Sequence, residues 1–241
     1  MTHPSSTSSR STAPLVLVGV LVLVVVVAVV AFLVTRDGDG DGDDAAPVAT
    51  TPLDDGEAVD DRLPPELAGE ARDVEIEGDP LPPLPDAGND PALGQRPPTL
   101  VAEDASGTVH TISADIDGPY MLVFLAHWCP ACNAEVPNLV ELDDTGRVPA
   151  DLDVYGVLTA ISPDQPGFPP SEWIADFGWP WVAVADGVDF DVDPPQWAAA
   201  EAFGLSAFPY VVLVDDGIVV DRWAGELGVD ALADRLATRV G

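Results

Sequence analysis

The apolar positions divide this chain into three regions. From Leu15 to Val34 every residue except Gly19 is apolar and none is charged. Twenty such residues, at a helical rise of about 1.5 Å each, span about 30 Å, the thickness of a bilayer's hydrocarbon core. The pattern predicts a transmembrane helix over 15–34, preceded by a short tail over 1–14. From Thr35 to Arg72 the chain is rich in Asp, Gly, Pro and Ala and shows no apolar period, which predicts a disordered acidic tether over 35–72. Residues 73–241 carry the patterning of a folded domain. Prolines cluster between Pro80 and Pro98, so 73–98 is read as an extended arm lying on that domain or, alternatively, as continuing linker.

Inside the domain, Val109–Ile112 reads as a short edge strand. Tyr120–Ala126 is an unbroken apolar run, as expected of a strand covered on both faces. A helix follows from Pro130 to Leu142, with Pro130 accommodated in its first turn. Val154–Ile161 is a second apolar run, Ser171–Phe177 a short helix, Trp181–Ala185 a third strand and Gln196–Phe203 another helix. Tyr210–Val214 and Ile218–Trp223 flank Asp215-Asp216-Gly217, the spacing of a tight hairpin. Val229–Val240 closes the domain as an amphipathic helix. Alternating strands and helices followed by a hairpin predict an α/β fold, a mixed sheet with helices on both faces.

The rival reading of the apolar run is a cleaved signal peptide, whose apolar region is usually about 7–15 residues. This run is longer, and no small-x-small cleavage site precedes Thr35-Arg36. The tail holds Arg10, His3 and the terminal amine, and Arg36 follows the span, so the arginine counts tie. The terminal amine tips the expectation to a single-pass cell-membrane protein with a cytoplasmic N-terminus and an extracytoplasmic domain.

Charge narrows the function. The chain has 42 Asp and Glu against 9 basic residues, all of them Arg, and a formal net charge of −33. A nucleic-acid-binding surface is excluded, because phosphate contacts need basic clusters. The acid is spread over tether and domain alike, which suits a surface kept soluble at high salt or high pH and disfavours docking on acidic lipid heads. The acid-rich run Asp186–Asp193 lacks the glycine and terminal Glu of a calcium loop and reads as a solvated loop.

Two cysteines, Cys129 and Cys132, cannot build a disulfide-rich scaffold or a four-cysteine zinc site. They stand in Trp128-Cys129-Pro130-Ala131-Cys132, where a buried strand hands over to a helix. The first cysteine then lies at the helix N-terminus, where free N–H groups and the macrodipole favour a thiolate. The second lies about one turn on, close enough to bond to it. Cys129 is placed to attack a disulfide and Cys132 to resolve the mixed disulfide. A passive bridge here would close almost no loop, and zinc would need two ligands beyond His110 and His127. Redox exchange is the reading the spacing favours over these two.

Further on, Ala207-Phe208-Pro209-Tyr210 precedes an apolar strand, a position that permits proline as a simple strand start. With these residues in place the chain resembles the thioredoxin superfamily, and within it the membrane-anchored thiol–disulfide oxidoreductases of the TlpA/ResA type. The resemblance covers roughly Pro80 to Gly241. It rests on Trp128 to Cys132, on Glu135-Val136-Pro137, on Phe208-Pro209 and on the order of elements. It implies a thioredoxin-like domain over 73–241, catalysis by Cys129 and Cys132 with a cis proline at Pro209, and a substrate chain bordered by Trp128 and paired with the backbone of Phe208. It further implies a kink at Pro137, and no metal or organic cofactor. Its partners would be cysteines of exported proteins and a transmembrane electron donor.

The chain also departs from the family. The buried Asp six residues ahead of the first cysteine in thioredoxins is Val123 here. Glu135 resembles the Glu of the C-x-x-C-x-x-E-x-P pattern and would serve as proton acceptor, or it is an exposed first-turn carboxylate. His127 would tune Cys129 electrostatically, or it is a polar residue at the sheet's exposed rim. Pro130-Ala131 lacks the His of the most oxidising relatives, which implies a more reducing pair. The resulting expectation is a reductase of exported protein cysteines, with cytochrome c maturation as the analogy. A thiol oxidase in exported-protein folding is the alternative. A copper-delivery protein is disfavoured by the cysteine spacing and by the lack of any His after His127.

Overall fold

The computed structural model describes residues 63–67 and 69–240. The tail over 1–14, the apolar run over 15–34 and the tether up to residue 62 lie outside the described residues. Among the described residues no helix is long and apolar enough to cross a membrane.

The centre of the domain is β4 (Tyr120–Leu125), every residue of which is buried. It pairs in parallel with β5 (Asp153–Leu158) and antiparallel with β9 (Tyr210–Asp215). β6 (Val182–Ala185) and β10 (Ile218–Ala224) complete a five-stranded mixed sheet in the order β10-β9-β4-β5-β6. Because side chains alternate along a strand, β4 feeds two cores. Met121, Val123 and Leu125 pack with Val136, Leu139 and Leu142 of α1 (Pro130–Asp144), Trp173 and Ile174 of α2 (Pro170–Asp176) and Leu232 and Leu236 of α4 (Val229–Val240). Tyr120, Leu122 and Phe124 face the other way, onto Ala199 and Ala202 of α3 (Ala198–Ala202). They also meet Leu100, Ala102 and Ile112 of a second sheet, formed by β1 (Glu75–Glu77), β2 (Thr99–Glu103) and β3 (Val109–Ile112). The hairpin between β9 and β10 has a two-residue loop, Asp216-Gly217, with φ of 50° and 75°. These left-handed values suit a type I′ turn, and a Cβ on Gly217 would lie 2.7 Å from the Ala114 carbonyl oxygen.

Three local expectations need correction. First, the acidic tether does not extend to Arg72. Leu67 and Ala71 are buried against Ile161, and Arg72 pairs with Glu103 at 3.0 Å. Glu70 accepts hydrogen bonds from the Ser171 amide at 3.1 Å and hydroxyl at 2.8 Å. Leu67 and Ala71, four apart, with Leu63 packed beside them, lay this stretch on the domain. Second, Gln196 and Trp197 are not helical. They form β8 and pair with β7 (Val188–Asp189), so the helix starts only at Ala198.

Third, Asp186 is not part of a solvated loop. It is fully buried, and its carboxylate accepts from the Thr159 hydroxyl at 2.7 Å and from the amides of Gly187 at 2.8 Å, Ala199 at 2.8 Å and Ala200 at 3.1 Å. One side chain thus ties the ends of β5 and β6 to the start of α3. Asp186→Ala strands three amides and a hydroxyl, and a buried donor left unpaired costs about 1–3 kcal/mol. The expected loss of folding stability is about 3 kcal/mol, read as a lower urea midpoint at unchanged slope. A loss below about 1 kcal/mol would show that water replaces the carboxylate at little cost.

Candidate active site

The register of the sheet places the cysteine pair. Beyond Leu125 the chain leaves β4 through Ala126-His127-Trp128 and enters α1 with Cys129 as its N-cap residue, at φ −77° and ψ 122°. Cys129 donates its amide to the Ala126 carbonyl at 3.0 Å and is 9% exposed, while Cys132, one turn on, is fully buried. Both sulfurs are free thiols. The Ala126 amide points at the Cys132 sulfur, 3.5 Å away. Burial pushes the Cys132 thiol far above the ordinary thiol range, and the proximity of Cys129 and Glu135 adds to the shift. Cys129 is therefore the slightly exposed member of a buried pair, at a helix N-terminus, and Cys132 is held deeper, where burial disfavours its thiolate.

Phe208 and Pro209, joined by a cis peptide bond, lead into β9 next to β4. Tyr210 lies opposite Phe124, so the Phe208-Pro209 pair runs past the end of β4, from which the cysteine loop departs. The Pro209 carbonyl accepts from the Gly225 amide at 2.8 Å. Phe208 meets Trp128 edge to face at 6.0 Å between centroids and 79° between planes, and both pack on the cluster that contains Cys129 and Cys132. Trp128 donates its indole N–H to the Ala160 carbonyl at 2.7 Å. Trp128, Cys129, Cys132, Phe208 and Pro209 are thus gathered at one end of the sheet. Pro137 lies inside α1.

Glu135 is not an exposed first-turn carboxylate. It is fully buried, facing inward from the same side of α1 as Cys132. Its Oε2 accepts from the Leu227 amide at 2.9 Å and from the Asn138 side chain at 3.4 Å, and Asn138 in turn donates to the Leu227 carbonyl at 3.0 Å. Its Oε1 is buried and meets no donor among the described residues. Burial pushes the Glu135 carboxyl up to about 7, against the lowering effect of the Leu227 amide and Asn138. The domain carries Val123 in the strand ahead of the cysteines, and Glu135 is a buried acid close enough to Cys132 to act on its thiol.

His127 is neither at an exposed rim nor a charge beside Cys129. It is 1% exposed. The Ser162 amide, which can only donate, approaches Nε2 at 3.2 Å, so Nε2 accepts and Nδ1–H donates to the Pro166 carbonyl at 2.8 Å. Burial holds the imidazolium below its ordinary range, opposed by the Pro166 carbonyl and Glu70. The ring is a neutral clamp joining the cysteine loop to residues 162–166. Sequence reasoning passed over Asn133, whose amide bridges this loop and Trp173. An Asn in a C-x-x-C-N run signals nothing by itself, since its partners are fixed only by the fold. Among the described residues no cluster of three or more His, Cys, Asp or Glu side chains could hold a metal ion.

No family model matches the chain. Over 146 residues it is 28% identical to the thiol:disulfide interchange protein HelX of Rhodobacter capsulatus, an alignment covering 59% of this chain and 74% of that one. It is 29% identical, over 59% of this chain and 72% of the other, to the thiol:disulfide interchange protein DsbE homolog of Paracoccus denitrificans. Among solved structures, a thiol:disulfide interchange protein of the thioredoxin family from Chlorobium tepidum TLS is similar at a TM-score of 0.49 and 16% identity, over 65% of this chain and all of that one. A secreted disulfide oxidoreductase of Mycobacterium tuberculosis, homologous to E. coli DsbE, is similar at a TM-score of 0.44 and 19% identity, over 57% of this chain and 94% of that one.

Proposed function

We propose that this chain, a thioredoxin-like thiol–disulfide oxidoreductase, is a membrane-tethered reductase of exported protein cysteines. It works outside the cytoplasm on a single N-terminal anchor over residues 15–34, with the N-terminus in the cytoplasm. In the forward reaction the Cys129 thiolate attacks one sulfur of a substrate disulfide. A Cys129–substrate disulfide forms, and the other substrate sulfur leaves as a thiolate that takes up a proton. Glu135 then accepts the proton of Cys132, and the Cys132 thiolate attacks the Cys129 sulfur. The second substrate thiolate leaves, the substrate is reduced by two electrons, and Cys129 and Cys132 are left as a disulfide. A dithiol of a transmembrane donor restores the pair. Trp128 and the backbone of Phe208 border the bound substrate chain, and Pro209 holds that wall beside the sulfurs. Haem-attachment cysteines of an apocytochrome c are the substrate class that the resemblance suggests.

The observation that carries the direction is the state of His127. A strongly oxidising pair needs its reduced form stabilised, and a cation beside the first sulfur adds to what the helix N-terminus supplies. Here Pro130-Ala131 separates the cysteines, and both ring nitrogens of His127, the imidazole nearest in sequence, are spent on Pro166 and Ser162. All six arginines of the described region are ion-paired to carboxylates away from the pair. Among the described residues no cationic side chain favours the reduced form. The test is the reduction potential of the full-length chain in detergent, by equilibration with glutathione. A value near thioredoxin's, about −270 mV, is expected. A value near about −120 mV would make the protein an oxidase and end the cytochrome-maturation reading.

A further inference from the structure

The loop that presents Cys129 is held by a side chain that the exchange chemistry does not itself use. Asn133 donates through Nδ2 to the His127 carbonyl at 3.1 Å and to the Cys129 carbonyl at 2.9 Å. Its Oδ1 accepts from the indole N–H of Trp173 at 3.0 Å, from a helix forty residues further along the chain. An indole nitrogen only donates, so the amide has one consistent orientation. Flipped, it would set its NH2 against the indole N–H and its oxygen against two carbonyl oxygens. Both of its donor hydrogens and its acceptor are engaged.

The surroundings leave the amide little freedom. Trp173 is buried and meets Phe177 edge to face at 5.6 Å. On the far side, a Cβ at Gly167 would come within 2.9 Å of the His127 carbonyl oxygen and 3.1 Å of Trp173, so only glycine fits the loop against this pair. The His127 ring is fixed to residues 162 and 166, and Trp128 to Ala160. The Cys129 carbonyl also takes the Asn133 amide N–H at 3.1 Å, as the first turn of the helix requires. The three residues that end in the attacking cysteine are thus tied to the 160–166 loop and to Asn133, and the His127 and Cys129 carbonyls are turned toward one amide.

We propose that Asn133 is a positioning residue for Cys129: its side-chain amide fixes the His127 and Cys129 carbonyls and so sets the line along which the sulfur meets a disulfide. Attack on a disulfide requires three sulfurs in line, and a fixed approach removes orientational freedom from that step. The neutral amide does this without adding charge. The inference rests on the exchange reaction proposed above but concerns only its first step. Resolution by Cys132 runs between two sulfurs held on one turn of the same helix and does not need that approach.

The test uses the full-length chain in detergent and dipyridyl disulfide, a small neutral probe, with attack by Cys129 and resolution by Cys132 timed separately. Asn133→Ala is expected to slow attack about five- to tenfold with resolution unchanged. Asn133→Asp sets a carboxylate against two carbonyl oxygens and is expected to slow attack more than tenfold at pH 7. Its ratio to wild type then rises as pH falls toward 4, where the protonated acid can again donate one hydrogen bond. Trp173→Phe removes the donor that orients the amide. It is expected to slow attack about threefold alone and to add nothing to Asn133→Ala, as two members of one network do. Equal slowing of attack and resolution would mean a general structural role and would overturn the proposal, as would wild-type attack rates in both Asn133 variants. Should those variants fail to fold, Trp173→Phe decides alone: an unchanged attack rate overturns the proposal and selective slowing sustains it. A wild-type chain that does not exchange with any disulfide would instead bring down the function proposed above.

Discussion

Cys129→Ser is expected to reduce disulfide exchange to the uncatalysed background, whereas Cys132→Ala is expected to stop after one chemical step with the substrate still attached. The difference follows from where the two sulfurs sit. Cys129, at the N-terminus of α1, keeps a 9% exposure through which a substrate disulfide can reach it; Cys132 is fully buried, and the sulfur within its reach is that of Cys129. A serine hydroxyl at 129 is not ionised at neutral pH and does not attack a disulfide. In Cys132→Ala the attack proceeds, the first substrate thiolate leaves, and the Cys129–substrate disulfide persists for want of a resolving thiol. Alanine suits position 132 better than serine. A buried hydroxyl there would have to compete for the Ala126 amide, and a polar group left without a partner costs about 1–3 kcal/mol. Mass spectrometry after mixing with a disulfide-bonded peptide would read the two outcomes as no adduct for Cys129→Ser and one adduct per chain for Cys132→Ala. A stable adduct on Cys129→Ser would put the nucleophile at position 132 and reverse the roles.

The parts of this site visible in the sequence are those whose cause is local. Tyr120–Leu125 reads as a strand because a six-residue apolar run is short for a buried helix and suits a strand covered on both faces, and the helix after it follows from Cys129-Pro130 at its first turn. The hairpin is legible for the same reason, since Asp216-Gly217 sits between two alternating runs. The misreadings of Asp186 and His127, and the exposed one of the two readings left open for Glu135, concern polar side chains whose partners come from elsewhere in the chain. Glu135 looks like an exposed first-turn acid until Leu227, 92 residues away, delivers an amide to it. His127 looks like a rim residue until Pro166 and Ser162 take both of its nitrogens. Asp186 stands in an acidic run that invites solvent, and only the folding-back of Ala199 and Ala200 buries it. Burial of a polar group depends on long-range donors, which hydropathy and spacing do not encode. The strap from Leu63 to Arg72 was hidden differently, by Asp-, Gly- and Pro-rich neighbours that mask a short apolar signal.

Glu135→Gln is expected to slow release of the substrate while making the domain more stable, a pairing of opposite signs with one cause. Glutamine keeps an oxygen for the Leu227 amide and Asn138 but cannot take a proton from Cys132. Loss of a positioned general base typically costs a factor of about 10² to 10⁴, so resolution of the Cys129–substrate disulfide should slow by about 10². In the wild type the resolution rate should rise with pH through about 7, where the buried carboxyl ionises, and level off above it. The variant should lack that inflection. For stability, the carboxyl is raised in the fold from an unfolded value near 4.5. The unfolded chain therefore releases the proton more readily, and the wild-type domain loses stability as pH climbs from about 4.5 through about 7. Glutamine has no such charge to bury, so its advantage is absent below that window and complete above it, at most about 3 kcal/mol. Denaturant titrations at pH 4 and pH 8, set beside single-turnover rates, measure both arms. A variant that resolves at the wild-type rate with the wild-type pH profile would remove Glu135 from the proton path and send the search to Cys132's other neighbours. A variant that is slow but no more stable at pH 8 would mean that the fold does not raise the Glu135 carboxyl, which would then stand ionised at neutral pH. Glu135 would then still accept the proton of Cys132, but the rise of the resolution rate with pH would fall well below 7.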